Sequence, residues 1–117
     1  YAAIEPFDKL QADKLAVLKL MAEFRDAYNA RDGAAMAALW PDGHPMAAGF
    51  KAKPFVEKID ASVWTIIRWD AVYVVVQGDL ARAFLVSQHR TKDGTDAPVV
   101  LQSYGAKRHA NQGWKLN

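Results

Sequence analysis

The chain has 117 residues, 51% of them hydrophobic, 11% aromatic and 24% charged, and no cysteine; this excludes a disordered polyelectrolyte, disulfides, thiol nucleophiles and Cys-ligated zinc. That length makes one domain over 1–117, able to bury about two-thirds of its unfolded surface. A net charge of +2 is too small to point to nucleic acid, and no apolar run approaches the ~20 residues that cross a bilayer.

In chain order, the first residue is Tyr1 rather than Met, which suits a removed leader, signal peptide or tag. A soluble protein of the cytoplasm fits this start, and so does a periplasmic or secreted one. Residues 8–30 carry a helical stripe, with Leu10, Lys14, Val17, Met21, Phe24 and Tyr28 at three- and four-residue steps. Asp8 and Gln11 have capping-box spacing. Asn29, Asp32 and Gly33 end this helix, and Asp32 is placed to cap a second short one running to about Leu39. Pro41, Gly43, Pro45 and Gly49 predict an irregular stretch over 41–53, and Pro54 opens a third short helix through Ile59.

After Ser62 the hydrophobic period changes to two. Residues 63–76 read as one long strand bent near Asp70 or as two joined pieces, followed by strands over 80–91 and 99–109 and a last one starting at Trp114. Turns at Gln77-Gly78-Asp79, Asp93-Gly94 and Asn111-Gln112-Gly113 join them. Helices followed by an antiparallel meander make an α+β fold in which the helices cover one sheet face.

Four motifs in this order resemble the nuclear transport factor 2-like superfamily, which includes ketosteroid isomerase and the SnoaL-like polyketide cyclases. They are Phe24 to Asp32, Met36 to Trp40, Val76 to Ala81 with its Gly-Asp-x-Ala turn, and Asn111 to Leu116. The resemblance implies a cone: N-terminal helices packed in the concave face of a curved antiparallel sheet, with a pocket at the open end. Relatives commonly pair through the outer sheet face, so it also implies a homodimer. The segment 41–62 is shorter than in those relatives, which affects the rim of the pocket.

By the same motifs, the tyrosine, base and acid of the isomerases fall on Phe24, Ala47 and Gly105. None of these can donate to an enolate or carry a proton, so steroid isomerase chemistry is not expected. Among residues 63–117 the acids Asp70, Asp79, Asp93 and Asp96 all fall at bends or turns. Only Asp70, at a strand bend, is a candidate to aim inward as a base. Of the histidines, His89 beside Arg90 and His109 after Lys107-Arg108 read as exposed, while His44 lies where relatives place rim residues. No histidine spacing makes a metal site, and no cofactor is implied.

Three readings follow. The first is a domain binding a small apolar or aromatic molecule, with Tyr28, His44, Gln102 and Tyr104 as polar groups and Trp40 and Trp64 as walls. The second is an isomerase, cyclase or lyase using His44 or Asp70 with a tyrosine. The third is a non-catalytic dimerisation module.

Overall fold

Helix α1 spans Phe7–Ala30 and is followed by α2 (Gly33–Ala37), α3 (Pro45–Ala52) and two 3-10 turns, Phe55–Lys58 and Ala61–Val63. Strands β1 (Thr65–Gln77), β2 (Leu80–Arg90), β3 (Val100–His109) and β4 (Gly113–Leu116) form one antiparallel sheet in the order β1-β2-β3-β4. The structure is a computed structural model that describes residues 7–52 and 54–117. Tyr1 and the side chain of Asp8, and with it the expected capping box, lie outside the described residues.

Helix α1 lies in the concave face. Val17, Leu20, Met21 and Ala27 on its inner side are buried, as are Ala81, Ala83 and Leu85 beneath it on β2. The two alanines let the helix approach the central strand closely, so Leu85 and Val17 reach full burial.

Local chemistry sets the helix ends. Arg31 takes a left-handed conformation (φ 57°) after α1, and Asp32 then caps α2 by accepting from the Ala35 amide at 3.0 Å. Gly33 has to be a glycine, because a Cβ there would stand 2.9 Å from the Phe50 carbonyl oxygen of α3. At the other end of α2, Lys115 donates to the Ala38 carbonyl at 2.8 Å and the Leu116 amide to the Leu39 carbonyl at 2.7 Å, tying β4 to the helices.

Three expectations are corrected. Residues 45–52 are helical rather than irregular, since Pro45 occupies the first helical position, where its missing N–H costs nothing. The expected third helix at 54–59 is a single 3-10 turn, and α2 ends at Ala37, short of Leu39.

The bend of β1 has a definite cause. Register slips between Ile66 and Arg68 and again between Ala71 and Tyr73, so Ile67 and Val72 are extra residues in bulges. Each bulge resets the alternation. Ile66, Trp69 and Val74 point inward and are buried, while Arg68, Asp70 and Tyr73 point outward. Strict alternation from Ile66 would have put Arg68 and Asp70 inside.

Candidate functional site

Toward the end of the cone where α1 finishes, the inward-facing side chains become large, and Phe24, Tyr28 and Tyr104 are only half buried. Phe24 stacks on Trp69 (centroids 5.3 Å apart, planes 9° apart) and meets Tyr104 at 5.4 Å, and Trp69 and Tyr104 are 5.5 Å apart. Trp69 is locked by its indole N–H, which donates to the Met21 carbonyl at 3.0 Å. One turn after Phe24, the Tyr28 hydroxyl donates to the Val63 carbonyl, and its ring meets the edges of Phe55 (5.7 Å) and His89 (6.3 Å).

A short polar row borders this aromatic cluster. Ser87, wholly buried on β2, donates to Gln102 Oε1 at 2.9 Å, and the Tyr104 hydroxyl makes a longer contact with the same oxygen at 3.4 Å. Gln102 Nε2 makes no hydrogen bond to a described residue, and neither does either ring nitrogen of His89. Burial pushes the Tyr104 hydroxyl above the usual tyrosine range. It does the same to Tyr28, partly opposed by Arg31. Burial also lowers His89 below the usual histidine value. Both phenols therefore stay protonated at neutral pH, and the imidazole stays neutral.

Of the residues singled out in the sequence, the fold gathers Tyr28, Gln102 and Tyr104 on the concave side. The other four lie elsewhere. Trp40 stacks on Phe50 at 5.6 Å in the α2–α3 layer and is 9% exposed. His44 sits beside Trp40, and its Nδ1 accepts from the Met46 amide at 3.1 Å, satisfying the first turn of α3. Trp64 lies between two cations, with the Arg31 guanidinium 4.5 Å and the Lys92 ammonium 4.9 Å from its ring centroid. Asp70 is on the outer face, held by Arg68 at 2.7 Å.

His89, expected to be exposed, is instead half buried against Tyr28. The signal that marks it is the inward parity of β2, Ala81-Ala83-Leu85-Ser87-His89, obscured by its neighbour Arg90 at the strand end. At the positions matched to the isomerases, Phe24 faces the cluster, Ala47 is the buried residue of α3 and Gly105 lies opposite Arg82, which faces outward.

Among the described residues, no group of three His, Cys, Asp or Glu is placed to hold a metal, and no helix is long and apolar enough to cross a membrane. The outer sheet face carries a different cleft of about 240 Å³, lined by Val75, Leu80, Arg82, Gly105 and Asn117 and holding no aromatic ring.

No protein-family model and no curated protein matches the sequence. Solved structures do. An NTF2-like protein with a cystatin-like fold from Novosphingobium aromaticivorans is similar at TM-score 0.60 and 18% identity, over 92% of this chain and 79% of that one. An NTF2-like protein of unknown function from Pseudomonas putida KT2440 gives TM-score 0.61 and 14% identity, over 91% and 82%. A second Novosphingobium aromaticivorans protein, named provisionally as an aromatic ring hydroxylase, gives TM-score 0.55 and 18% identity, over 97% and 87%. Helices cupped by a curved four-stranded antiparallel sheet, matched over nine-tenths of the chain, identify the architecture: this chain has the nuclear transport factor 2-like, cystatin-like α+β fold.

Proposed function

We propose that the chain is a binding domain for a small apolar or aromatic molecule, held at the concave end by Phe24, Tyr28 and Tyr104 and oriented by Gln102 and His89. The carrying observation is a contrast along one sheet face. Inward-facing Ala81, Ala83 and Leu85 are sealed under α1, while Phe24, Tyr28, His89, Gln102 and Tyr104 at the other end keep part of their surface exposed. Concave, ring-lined surfaces with a few directed polar groups are the usual form of a small-molecule site. The enzymatic reading through His44 or Asp70 finds no support, because one caps a helix and the other is paired on the opposite face of the sheet.

The test is a ¹⁵N-detected titration with small aromatic compounds. Saturable shifts at Tyr28, His89, Gln102 and Tyr104 are expected; shifts confined to the outer face, or none with any compound, overturn the reading.

A second reading is compatible with the first: homodimerisation through the outer sheet face. Tyr73 is 60% and Leu101 67% exposed there, flanking Phe84 and Val86. A contiguous apolar sheet face of this kind is a protein-contact surface, and a second copy of the chain is the occupant the reading commits to.

A further inference from the structure

The polar groups of the concave end differ in what they leave unused, and that difference narrows the ligand. Gln102 has its oxygen engaged by Ser87 and approached by Tyr104, so what it offers is the N–H pair of its amide. Neither ring nitrogen of His89 has a hydrogen-bond partner among the described residues, and a neutral imidazole offers one bare nitrogen able to accept and one N–H able to donate. The two are not side by side. Gln102 pairs with Leu85 across the β2–β3 ladder, and His89 lies four residues further along β2, about 13 Å at the backbone by strand rise. Both side chains face inward over the intervening Ser87 row, so they address opposite ends of a molecule lying across the rings.

Charge narrows it further. Arg31, the cation beside Tyr28, donates to the Tyr28 and Trp64 carbonyls and stacks on Trp64. Lys92 lies over the same Trp64 ring at 4.9 Å, and Asp60, held by Ser62, acts on the Tyr28 hydroxyl only through its charge; among the described residues neither makes a hydrogen bond or ring contact with Phe24, Tyr28, His89, Gln102 or Tyr104. A charged ligand would therefore lose hydration without compensation.

Resting on the binding reading above, we infer that the ligand is an uncharged aromatic with a polar group at each end: a hydrogen-bond acceptor met by Gln102 Nε2 and a hydroxyl that donates to His89. A hydrocarbon leaves both side chains unpaired, and a ketone or phenol with a single polar end reaches only one of them.

The experiment titrates the full chain at neutral pH with four compounds on one ring: 4′-hydroxyacetophenone, acetophenone, 4-ethylphenol and 4-hydroxybenzoate. The two-ended neutral compound is expected to bind about three- to tenfold more tightly than either one-ended compound, the worth of one hydrogen bond, with the carboxylate weakest. His89→Phe should bring 4′-hydroxyacetophenone down to the affinity that acetophenone has for the same variant, closing the gap between the two. The wild-type ranking stands by itself if the variant fails to fold. Equal affinity for the one- and two-ended compounds, or tightest binding of the carboxylate, overturns the ligand class while the site survives. No concave-face shift with any of the four overturns the site and the ligand class together.

Discussion

The side-chain amide of Asn29 and the peptide group of Ile66 bond to each other twice: Asn29 Nδ2 donates to the Ile66 carbonyl and Asn29 Oδ1 accepts from the Ile66 amide, both at 2.9 Å. Asn29 thus stands in for a neighbouring strand at the start of β1, joining the last turn of α1 to the free edge of the sheet. Asn29→Ala leaves both groups of a part-buried peptide without their partner, so it should cost about 1–3 kcal/mol and lower Tm by roughly 5–15 °C. Asn29→Asp keeps the acceptor and loses the donor, and should fall between. Thermal melts of the two variants check the order; an unchanged Tm for Asn29→Ala would mean water replaces the clamp at no cost.

The two ends of α1 are fastened by different chemistry. Near the N-terminal end, Asp13 is 7% exposed, and its Oδ1 accepts from Arg108 at 2.9 Å and from the Trp114 indole at 3.3 Å, while its Oδ2 is buried without a partner. Arg108 also reaches Asp79 Oδ1 at 3.0 Å and the Gly78 carbonyl at 2.9 Å, so one guanidinium joins α1, β3 and the β1–β2 turn. Asp13→Ala should cost about 2–3 kcal/mol, below the usual figure for breaking a buried pair because Arg108 keeps its other partners. Asp70→Ala, which breaks the exposed pair with Arg68, should stay within about 0.5 kcal/mol of wild type. Urea denaturation separates the two, and equal losses would contradict the ranking by burial.

Much of this fold is written in hydrophobic period. The stripe from Leu10 to Tyr28 and the alternation of Ala81 to Ser87 correspond to α1 and β2, and the glycine turns at Gly78 and Gly94 have the positive φ that their positions require. Period fails where a bulge intervenes. Nothing in Ile66 to Tyr73 marks Ile67 and Val72 as extra residues, yet those two decide that Asp70 faces away from the concave side. Helix α3 is hidden for another reason: Pro45 and Gly49 read as breakers, although the first starts the helix and the second is tolerated within it. For the site, Tyr28, Gln102 and Tyr104 share parity with the core and were legible. His89 was masked by its charged neighbour, and Trp64 was misplaced because its two cations, Arg31 and Lys92, are far from it in sequence.

His89 gives the concave end a pH signature. Its depressed basicity comes from burial alone, and the ring facing it from α1 is Tyr28, which stays neutral. A base that is harder to protonate when folded leaves the unfolded chain with more bound protons, so stability rises with pH across this range. The contribution is fully present above the ordinary histidine value near 6.5 and is lost as pH falls from there toward the lower folded value. Asp60, Asp93 and Asp96, whose hydrogen bonds hold them below the usual carboxylate range, lose their contributions at lower pH and do not overlap this window. The Tm difference between pH 8 and pH 5 should be smaller in His89→Gln than in wild type, with His44 and His109 common to both. An identical pH profile would place His89 in solvent.

On the outer face, Tyr73 stacks on Phe84 at 5.7 Å, and Leu101 lies opposite Val86 one row along, so the apolar surface is continuous across β1, β2 and β3. If two copies meet there, Leu101 is near the middle of the contact, where a new charge would lose its hydration and the apolar contact of the leucine would be gone. Leu101→Asp should then weaken self-association at least thirtyfold, equivalent to about 2 kcal/mol for loss of a central contact. The leucine is 67% exposed in the single chain, so the variant should fold normally and bind aromatic compounds at the concave end as before. Sedimentation equilibrium over a concentration series reads both outcomes: wild type at twice the chain mass with the variant at one supports the contact. Wild type remaining monomeric at about 100 μM, well above the micromolar affinity of an ordinary specific interface, removes it and leaves the binding end of the cone untouched.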